Sequence, residues 1–262
     1  MPNSINPIKR VQAFGQSIWY DNIQRSMFSS GALVLLIKDG VMGITSNPSI
    51  FEKAINGSSD YDDVLGSLVR QDLGPDMIFE HLAVEDIRMA ANFLKPTYQN
   101  TQGRDGFISL EVRPTLAYET KQTIDEALRL WDLIDRPNVM IKVPATPEGI
   151  PAIETLTSMG VNVNVTLIFS ISQYQAVAKA YVAGLEKRLS AGNQVSGIAS
   201  VASFFLSRID SKVDARLEKI ENSHLQGKIA ISSAKVAYAQ FKEIFSGKVW
   251  QNLAQHGSRV QR

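Results

Sequence analysis

A lysine stands inside an apolar β-strand pattern in the segment NVMIKVP (Asn138–Pro144). Lys142 lies between Ile141 and Val143, and the proline ends the apolar run. Burying an ammonium group without a partner is costly, and the usual outcome is loss of its proton. A buried, neutral lysine is a nucleophilic amine that can form a Schiff base with a carbonyl carbon. The position therefore indicates either a packing feature or an active site.

Polar residues at the ends of other apolar segments bear on this choice. In VNVNVT, Asn164 and Thr166 share one face of a predicted strand, because side chains along a strand alternate with a period of two. Polar residues in the same phase stand at or near the carboxyl ends of four further predicted strands: Asp21, Asn47, Glu111 and Ser203. In a (β/α)8 barrel such ends converge on one rim, which carries the catalytic residues. The shared pattern favours an active site over local capping.

These residue types suit chemistry at a carbonyl group. Lys142 can attack the carbonyl carbon, while Asp21 and Glu111 are candidates for the proton transfers that imine formation and hydrolysis need. Asn47 and Asn164 can hold substrate hydroxyls, since a carboxamide both donates and accepts hydrogen bonds. A salt bridge from either acid to Lys142 is the structural alternative. The two roles are compatible, because both need the same proximity.

The elements that must position these residues alternate between strands and helices. Strands are predicted at residues 16–21, 41–48, 106–114, 138–144, 161–169, 195–203 and 258–262. Helical spacing of apolar residues predicts helices over about 76–94, 116–131, 174–185 and 228–245. A βαβα succession predicts parallel strands covered by helices. An open doubly wound sheet and a closed (β/α)8 barrel both fit this succession.

The polar strand ends favour the barrel. No G-x-G-x-x-G or G-x-x-x-x-G-K-[ST] motif follows a predicted strand, so a nucleotide-binding open sheet loses support. We therefore predict an α/β fold of the (β/α)8 type in a single domain over residues 1–262.

Composition limits the partners and cofactors. The chain has 262 residues, is 44% hydrophobic and carries a formal net charge of +1, which gives no basic excess for nucleic acid. It contains no cysteine, and its three histidines, His81, His224 and His256, lack ligand spacing. The N-terminal segment lacks the apolar core of a signal peptide, and no apolar run is long enough to span a membrane. We expect a cytoplasmic protein without a metal.

Two long segments resemble the signatures of the transaldolase family. They are GITSNPSIF (Gly43–Phe51) and VMIKVPATPEGIPAIETL (Val139–Leu156), the second of which carries the Schiff-base lysine in that family. The segments SIWYDNIQR, SLEVRP, NVNVTLIFS and SVASFFLSRID are also similar to family segments and follow in family order. The resemblance covers essentially the whole chain and is closest to the longer bacterial-type transaldolases.

The resemblance implies a (β/α)8 barrel enzyme of the pentose phosphate pathway. Such enzymes move a dihydroxyacetone unit from sedoheptulose 7-phosphate to glyceraldehyde 3-phosphate without a metal or an organic cofactor. By position it implies that Lys142 is the nucleophile, that Asp21 is the acid/base, and that Glu111 and Thr166 hold a catalytic water. The residues that it implies for substrate binding are Asn47, Asn164, Ser203, Phe205 and Arg208.

The sequence departs from the family pattern at its carboxyl end. Arg262 falls in the expected seventh strand, so we expect a barrel that lacks strand eight and part of strand seven. The loop that completes the phosphate site in relatives is also expected to be missing. Open strand edges favour pairing with another chain or with a second copy. Three alternatives follow: a fragment of a true transaldolase with low or no activity alone, a non-catalytic remnant whose open edge binds a partner or a second copy, and a Schiff-base aldolase of relaxed substrate choice.

Overall fold

The strands of the computed structural model, which describes residues 6–262, are parallel neighbours in chain order. The start of the N-terminal segment, for which the sequence predicts no signal peptide, therefore lies outside the described residues. Within that range the strands are β1 (Ile18–Asp21), β2 (Val41–Thr45), β3 (Ile108–Glu111), β4 (Val139–Pro144), β5 (Val163–Ile168) and β6 (Ser200–Phe204).

Helices follow the strands, as a succession of βα units requires. Their bounds are α1 (Pro7–Gln12), α2 (Ser26–Ser29), α3 (Ala32–Asp39), α4 (Pro48–Asn56), α5 (Asp62–Arg70), α6 (Pro75–Asn100), α7 (Thr120–Ile134), α8 (Gly149–Met159), α9 (Ile171–Ser190), α10 (Ser207–Lys219), α11 (Ile229–Ile244) and α12 (Lys248–Gln255). Parallel strands in chain order with intervening helices are the arrangement of a (β/α) barrel. The predicted α/β fold of the barrel type is confirmed over these six βα units of the described chain.

Two compact units are distinguished by their internal contacts. The first consists of residues 6–113 and 129–141, with β1 to β3, the start of β4, and α1 to α6. The second consists of residues 114–128 and 142–262, with the end of β4, β5, β6, and α8 to α12. A single domain over residues 1–262 stays a prediction.

In the first unit, Gly43 of β2 leaves room for the side chain of Trp19 on β1. A Cβ atom on Gly43 would lie 2.5 Å from the indole ring of Trp19, closer than real Cβ contacts. The indole N–H donates to Asp105 Oδ1 at 3.0 Å and to Ser17 Oγ at 3.1 Å, and the Ser17 hydroxyl in turn donates to Asp105 Oδ2. These bonds fix β1 two residues before Asp21.

In the second unit, the end of β4 and the α8–α9 pair contribute to the core. All six residues of β4 are buried, as expected for a strand that is covered on both faces. Helices α8 and α9 approach closely at Gly184, where an added Cβ would lie 2.6 Å from the carbonyl oxygen of Glu154. Small residues at such a crossing allow the backbones to come together.

The predicted bounds differ from the structure at several elements, most clearly at the end of the helix predicted over about 76–94 and at the strand predicted over 258–262. Helix α6 continues through Pro96, although a proline normally ends a helix because it lacks an N–H donor. Its last turn is held by tertiary packing, with the Tyr98 and Phe107 rings edge to face at 5.3 Å. The segment 258–262 does not form the predicted strand, because only its last residue pairs with the backbone of β6. Arg262 donates its N–H to Ser200 O at 3.0 Å and accepts the Ala202 N–H at 2.5 Å.

No helix in the described part of the chain combines the length and apolar character needed to cross a membrane.

Candidate active site

Lys142 lies near the carboxyl end of β4, and 6% of its surface is exposed. The side chains on either side of it along the strand, Ile141 and Val143, are fully buried. The sequence therefore predicts correctly that this lysine is enclosed by the apolar strand.

The loop after β4 is fixed by short side-chain hydrogen bonds. Thr146 Oγ1 donates to Ala117 O at 2.6 Å and accepts the N–H of Gly149 at 3.0 Å. A Cβ atom on Gly149 would lie 2.0 Å from Pro144 O, so only glycine fits where α8 begins. The signature segment thus contains a glycine because the helix backbone contacts the strand that carries Lys142.

Strands β5 and β6 bring three of the predicted site residues together. Asn164 and Thr166 are each 2% exposed, and Ser203 is half-buried. The Ser203 hydroxyl donates to Asn164 Oδ1 at 2.9 Å. This bond identifies the carboxamide oxygen as the acceptor towards Ser203 and orients the amide nitrogen as a donor elsewhere.

The β5–β6 register shifts at the site. Val165 pairs with Ala202 and Ile168 pairs with Phe204, so Thr166 and Leu167 together stand opposite Ser203. Leu167 has a φ of 62°, a left-handed conformation that is a rare and strained one for a branched side chain. Register shifts of this kind re-aim side chains next to active sites. The sequence contains no signal for this feature, because no glycine or asparagine stands at residue 167.

An aromatic pair supports Arg208 after β6. The Phe205 and Phe169 rings stack with centroids 5.2 Å apart, and the guanidinium carbon of Arg208 lies 4.8 Å from the Phe205 centroid. The Phe205 N–H donates to Ile168 O at 2.9 Å, which extends the β5–β6 pairing to the site. Phe205 is thus half-buried beside an exposed arginine rather than a core residue.

In the first unit, Asp21, Asn47 and Glu111 stand at the carboxyl ends of three neighbouring strands. Asp21 is in register with Thr45, and Thr45 is in register with Ser109. Asn47 follows Thr45 by two residues, and Glu111 follows Ser109 by two residues. Each therefore lies one step further along the chain on the same face as the residue it follows. Asp21 is exposed, and the other two are half-buried.

Asn47 also has a structural role that the sequence did not reveal. Its Oδ1 accepts the Ile50 N–H at 3.0 Å and caps α4, whose first residue is Pro48. Ser46, just before it, is fully buried and donates to Ser109 O at 2.7 Å, which ties the end of β2 to β3. Ser46 was missed as a positioning residue, although its place inside GITSNPSIF marks it.

The comparisons with known proteins agree with this arrangement. The family model for transaldolase/fructose-6-phosphate aldolase matches residues 18–256. The chain belongs to this family. It is 49% identical to a transaldolase of Thiobacillus denitrificans, over 98% of this chain and 73% of that protein. It is 46% identical to transaldolase 2 of a Nostoc species, over 99% of this chain and 71% of that protein, and 46% identical to a transaldolase of Thermobifida fusca, over 98% and 71% respectively.

Membership of the transaldolase family confirms the resemblance read from the two signature segments. The matched range begins at the first residue of β1 and includes every predicted site residue from Asp21 to Arg208. It therefore contains both the strand that carries Lys142 and the bonded pair Asn164 and Ser203.

Proposed function

We propose that this chain is a transaldolase that moves a dihydroxyacetone unit from sedoheptulose 7-phosphate to glyceraldehyde 3-phosphate through a Schiff base on Lys142. The observation that carries the proposal is the burial of Lys142 on β4, in a chain of this family. An enclosed amine is available to a carbonyl carbon and protected from competing reactions with bulk water. The reaction uses the lysine itself as the covalent catalyst, so the sequence calls for neither a metal nor an organic cofactor.

The proposed reaction begins with attack of Lys142 Nζ on the ketone carbon of the donor. The carbinolamine that forms loses water and becomes an iminium ion. Glu111 and Thr166 hold the water molecule that carries protons in this step. Asp21 then takes the proton of the C4 hydroxyl, the C3–C4 bond breaks, and its electron pair flows into the iminium to give an enamine. The aldehyde product leaves.

The second half of the reaction runs these steps in reverse with the acceptor aldehyde. The enamine carbon attacks the aldehyde carbon of the acceptor, and Asp21 gives its proton to the oxygen of the new hydroxyl. Water then hydrolyses the iminium and releases Lys142. Asn47, Asn164 and Ser203 hold the retained three-carbon unit between the two halves, and Arg208 binds the substrate phosphate, for which an arginine fork is well suited.

The enamine must survive until the acceptor arrives. The Ser203–Asn164 hydrogen bond supports that need, because a carboxamide with a fixed orientation can hold a hydroxyl of the enamine without reorganising. Proton return to the enamine carbon would release free dihydroxyacetone, so a firmly held intermediate favours transfer over hydrolysis.

Borohydride trapping tests the function directly. Borohydride reduces the iminium to a secondary amine, so incubation with fructose 6-phosphate should leave a covalent adduct at Lys142 that mass spectrometry of peptides can locate. Lys142→Met should abolish the adduct, whereas Lys235→Met, on the exposed surface of α11, should retain it. Adduct at a different lysine would contradict the assignment of Lys142.

Transfer to erythrose 4-phosphate in a coupled assay then separates a transaldolase from a Schiff-base aldolase. A folded wild-type chain without adduct would instead favour the non-catalytic alternative, which the family match over residues 18–256 does not favour. Self-association through a strand edge and a cytoplasmic location stay predictions, which size-exclusion chromatography and cell fractionation would test.

A further inference from the structure

An arginine in the loop after β1 is held by side chains from two other elements of the first unit. Arg25 Nε donates to Asp86 Oδ1 at 2.7 Å, and its Nη2 forms an ion pair with Glu85, the preceding residue of α6. Its guanidinium carbon also lies 4.7 Å from the centroid of the Tyr61 ring. One edge and one face of the guanidinium group are therefore occupied, which fixes its plane.

The carboxylate that binds Arg25 is itself held in place. Asp86 is fully buried, and its Oδ2 accepts the Tyr61 hydroxyl at 2.7 Å. Tyr61 ends a 3₁₀ turn before α5 and packs in a buried cluster contributed by α4, α5 and α6. The apolar members of that cluster are Ala54, Leu68, Ile78 and Leu82. Arg25 is thus bound to a well-packed part of the first unit.

Stability alone does not explain this network. Only 12% of the Arg25 side chain is exposed, so both the guanidinium and the Asp86 carboxylate have lost most of their water. The desolvation cost of a buried ion pair is often as large as the attraction between its charges, and well-packed apolar side chains stabilise a core equally well. A forked and stacked arginine provides one defined geometry. The network therefore suits a segment whose exact position matters.

The segment that Arg25 holds begins at the proposed acid/base. Asp21 is the last residue of β1, and Arg25 is the fourth residue after it. The Asp21 side chain is exposed, so its position depends on how the backbone is held on either side. Before it, Trp19 is bonded to Asp105, and after it Ile23 is buried and Arg25 is bound to α6. A displacement of a catalytic group by about 1 Å can cost about 10²-fold in rate.

We propose that Arg25 is a positioning residue for the reaction, which holds the loop after β1 so that the Asp21 carboxylate can take the proton of the donor's C4 hydroxyl. The inference rests on the proposed function, because it concerns how the acid/base of the same site is held. In this role Arg25 makes no bond to the substrate and acts only through the backbone of residues 22–24.

Arg25→Lys tests the role, since it keeps the positive charge beside Asp86 but loses the fork and the stacked plane. The measured quantities are kcat for transfer and the composition of the borohydride adduct from fructose 6-phosphate. We expect kcat to fall about tenfold and the total adduct to stay within about twofold of wild type. The share of adduct that retains all six carbons should rise, because Asp21 acts after the Schiff base has formed. Arg70→Lys, at the exposed end of α5, should change neither quantity.

A purely structural role for Arg25 predicts a different result. Loss of folded protein would lower kcat and total adduct together and leave the six-carbon share as in wild type, and that result would overturn the inference. Glu85→Gln provides a second test if Arg25→Lys does not fold, because Glu85 is 44% exposed and its change leaves the bond between Arg25 and Asp86 in place. It should raise the six-carbon share to a smaller extent, and an unchanged share would count against the proposal.

Hydrogen exchange tests the positioning without turnover. The Phe28 N–H donates to Arg25 O at 2.9 Å, so its exchange reports on the end of the loop. In Arg25→Lys, exchange in peptides over residues 22–28 should be about tenfold faster than in wild type, while exchange in peptides over β2 stays the same. Equal exchange rates in Arg25→Lys and wild type, or equal acceleration in both segments, would overturn the inference even in a chain that forms no adduct. Absence of the adduct in wild type would contradict the proposed function instead.

Discussion

The Ser203 hydroxyl donates a 2.9 Å hydrogen bond to Oδ1 of Asn164 across the neighbouring strands β5 and β6. The bond occurs where two residues of β5, Thr166 and Leu167, stand opposite one residue of β6. The register shift therefore places a buried carboxamide, a buried threonine and a serine hydroxyl at one point of the second unit.

Loss of the Ser203 hydroxyl should impair turnover more than folding. In Ser203→Ala the Asn164 carboxamide loses the donor that orients it, so we expect kcat for transfer to fall about tenfold while the unfolding free energy falls by only about 1 kcal/mol. Steady-state transfer assays and urea unfolding measure the two quantities. Ser211→Ala, which removes an exposed hydroxyl bonded to Ser207 O on α10, is the matched control. Wild-type kcat in Ser203→Ala would contradict the proposed grip on the enamine.

A methyl group at residue 149 should displace the strand end that carries the nucleophile. The Cβ of Gly149→Ala would lie 2.0 Å from Pro144 O, so the backbone must move, and we expect a loss of about 2–3 kcal/mol of stability. Borohydride trapping should also slow, since Pro144 is two residues from Lys142. Gly197→Ala is the control, because an added Cβ there has no neighbour within 4 Å. Equal unfolding free energies of the two variants would contradict the prediction, because they would show that the backbone near Pro144 moves without loss of stability.

The sequence predicts the architecture of the site better than its local geometry. The period of two in VNVNVT and the apolar run around Lys142 indicate which side chains share a face, because successive side chains of a strand point to opposite faces. The left-handed Leu167 could not be predicted, because the strain there is imposed by tertiary pairing with β6 and not by the residue type. The predicted end of α6 near residue 94 is wrong for a similar reason. The packing of Tyr98 against Phe107 outweighs the tendency of Pro96 to end the helix.

The surroundings of Arg208 on α10 were also only partly predictable. Arg208 followed from its place in a family segment, whereas its contact with the Phe205 ring is visible only in the structure. The helix cap made by Asn47 illustrates the converse, because a residue assigned to substrate also satisfies an N–H of α4. One side chain can serve both roles, and the sequence alone does not separate them.

A buried tyrosine in the first unit should make the fold sensitive to alkaline pH. Tyr61 is 1% exposed and donates its hydroxyl proton to Asp86 Oδ2 at 2.7 Å, while Arg25 Nε donates to Oδ1 of the same carboxylate at 2.7 Å. Burial, together with the adjacent Asp86 carboxylate, raises the pKa of Tyr61. The folded state therefore holds the phenol proton more tightly than the unfolded state does, and this stability is complete below the unfolded pKa of about 10 and is lost as pH rises above it.

Tyr61→Phe tests that expectation at two pH values. At pH 8 the variant should be about 1–2 kcal/mol less stable than wild type, because Asp86 loses a donor. The difference in unfolding free energy should shrink at about pH 10.5 and above. There Tyr61 of the wild type ionises on unfolding, whereas the phenylalanine of the variant cannot. Tyr238→Phe, with a side chain largely exposed on α11, is the control. A difference that does not change with pH would argue against the raised pKa.

The assignment of Asp21 makes the sharpest mechanistic prediction, because it separates imine formation from carbon–carbon cleavage. Asp21→Asn removes the base for the C4 hydroxyl but leaves Lys142 intact, so transfer should fall about 10²-fold to 10⁴-fold while borohydride still traps a donor adduct. The trapped adduct should retain all the carbons of fructose 6-phosphate, because the C3–C4 bond no longer breaks, and peptide mass spectrometry would show this. Asp72→Asn, an exposed turn residue with a φ of 59° that asparagine tolerates, is the control. Loss of both adduct and transfer would mean that Asp21 acts before cleavage, and unchanged transfer would remove it from the reaction.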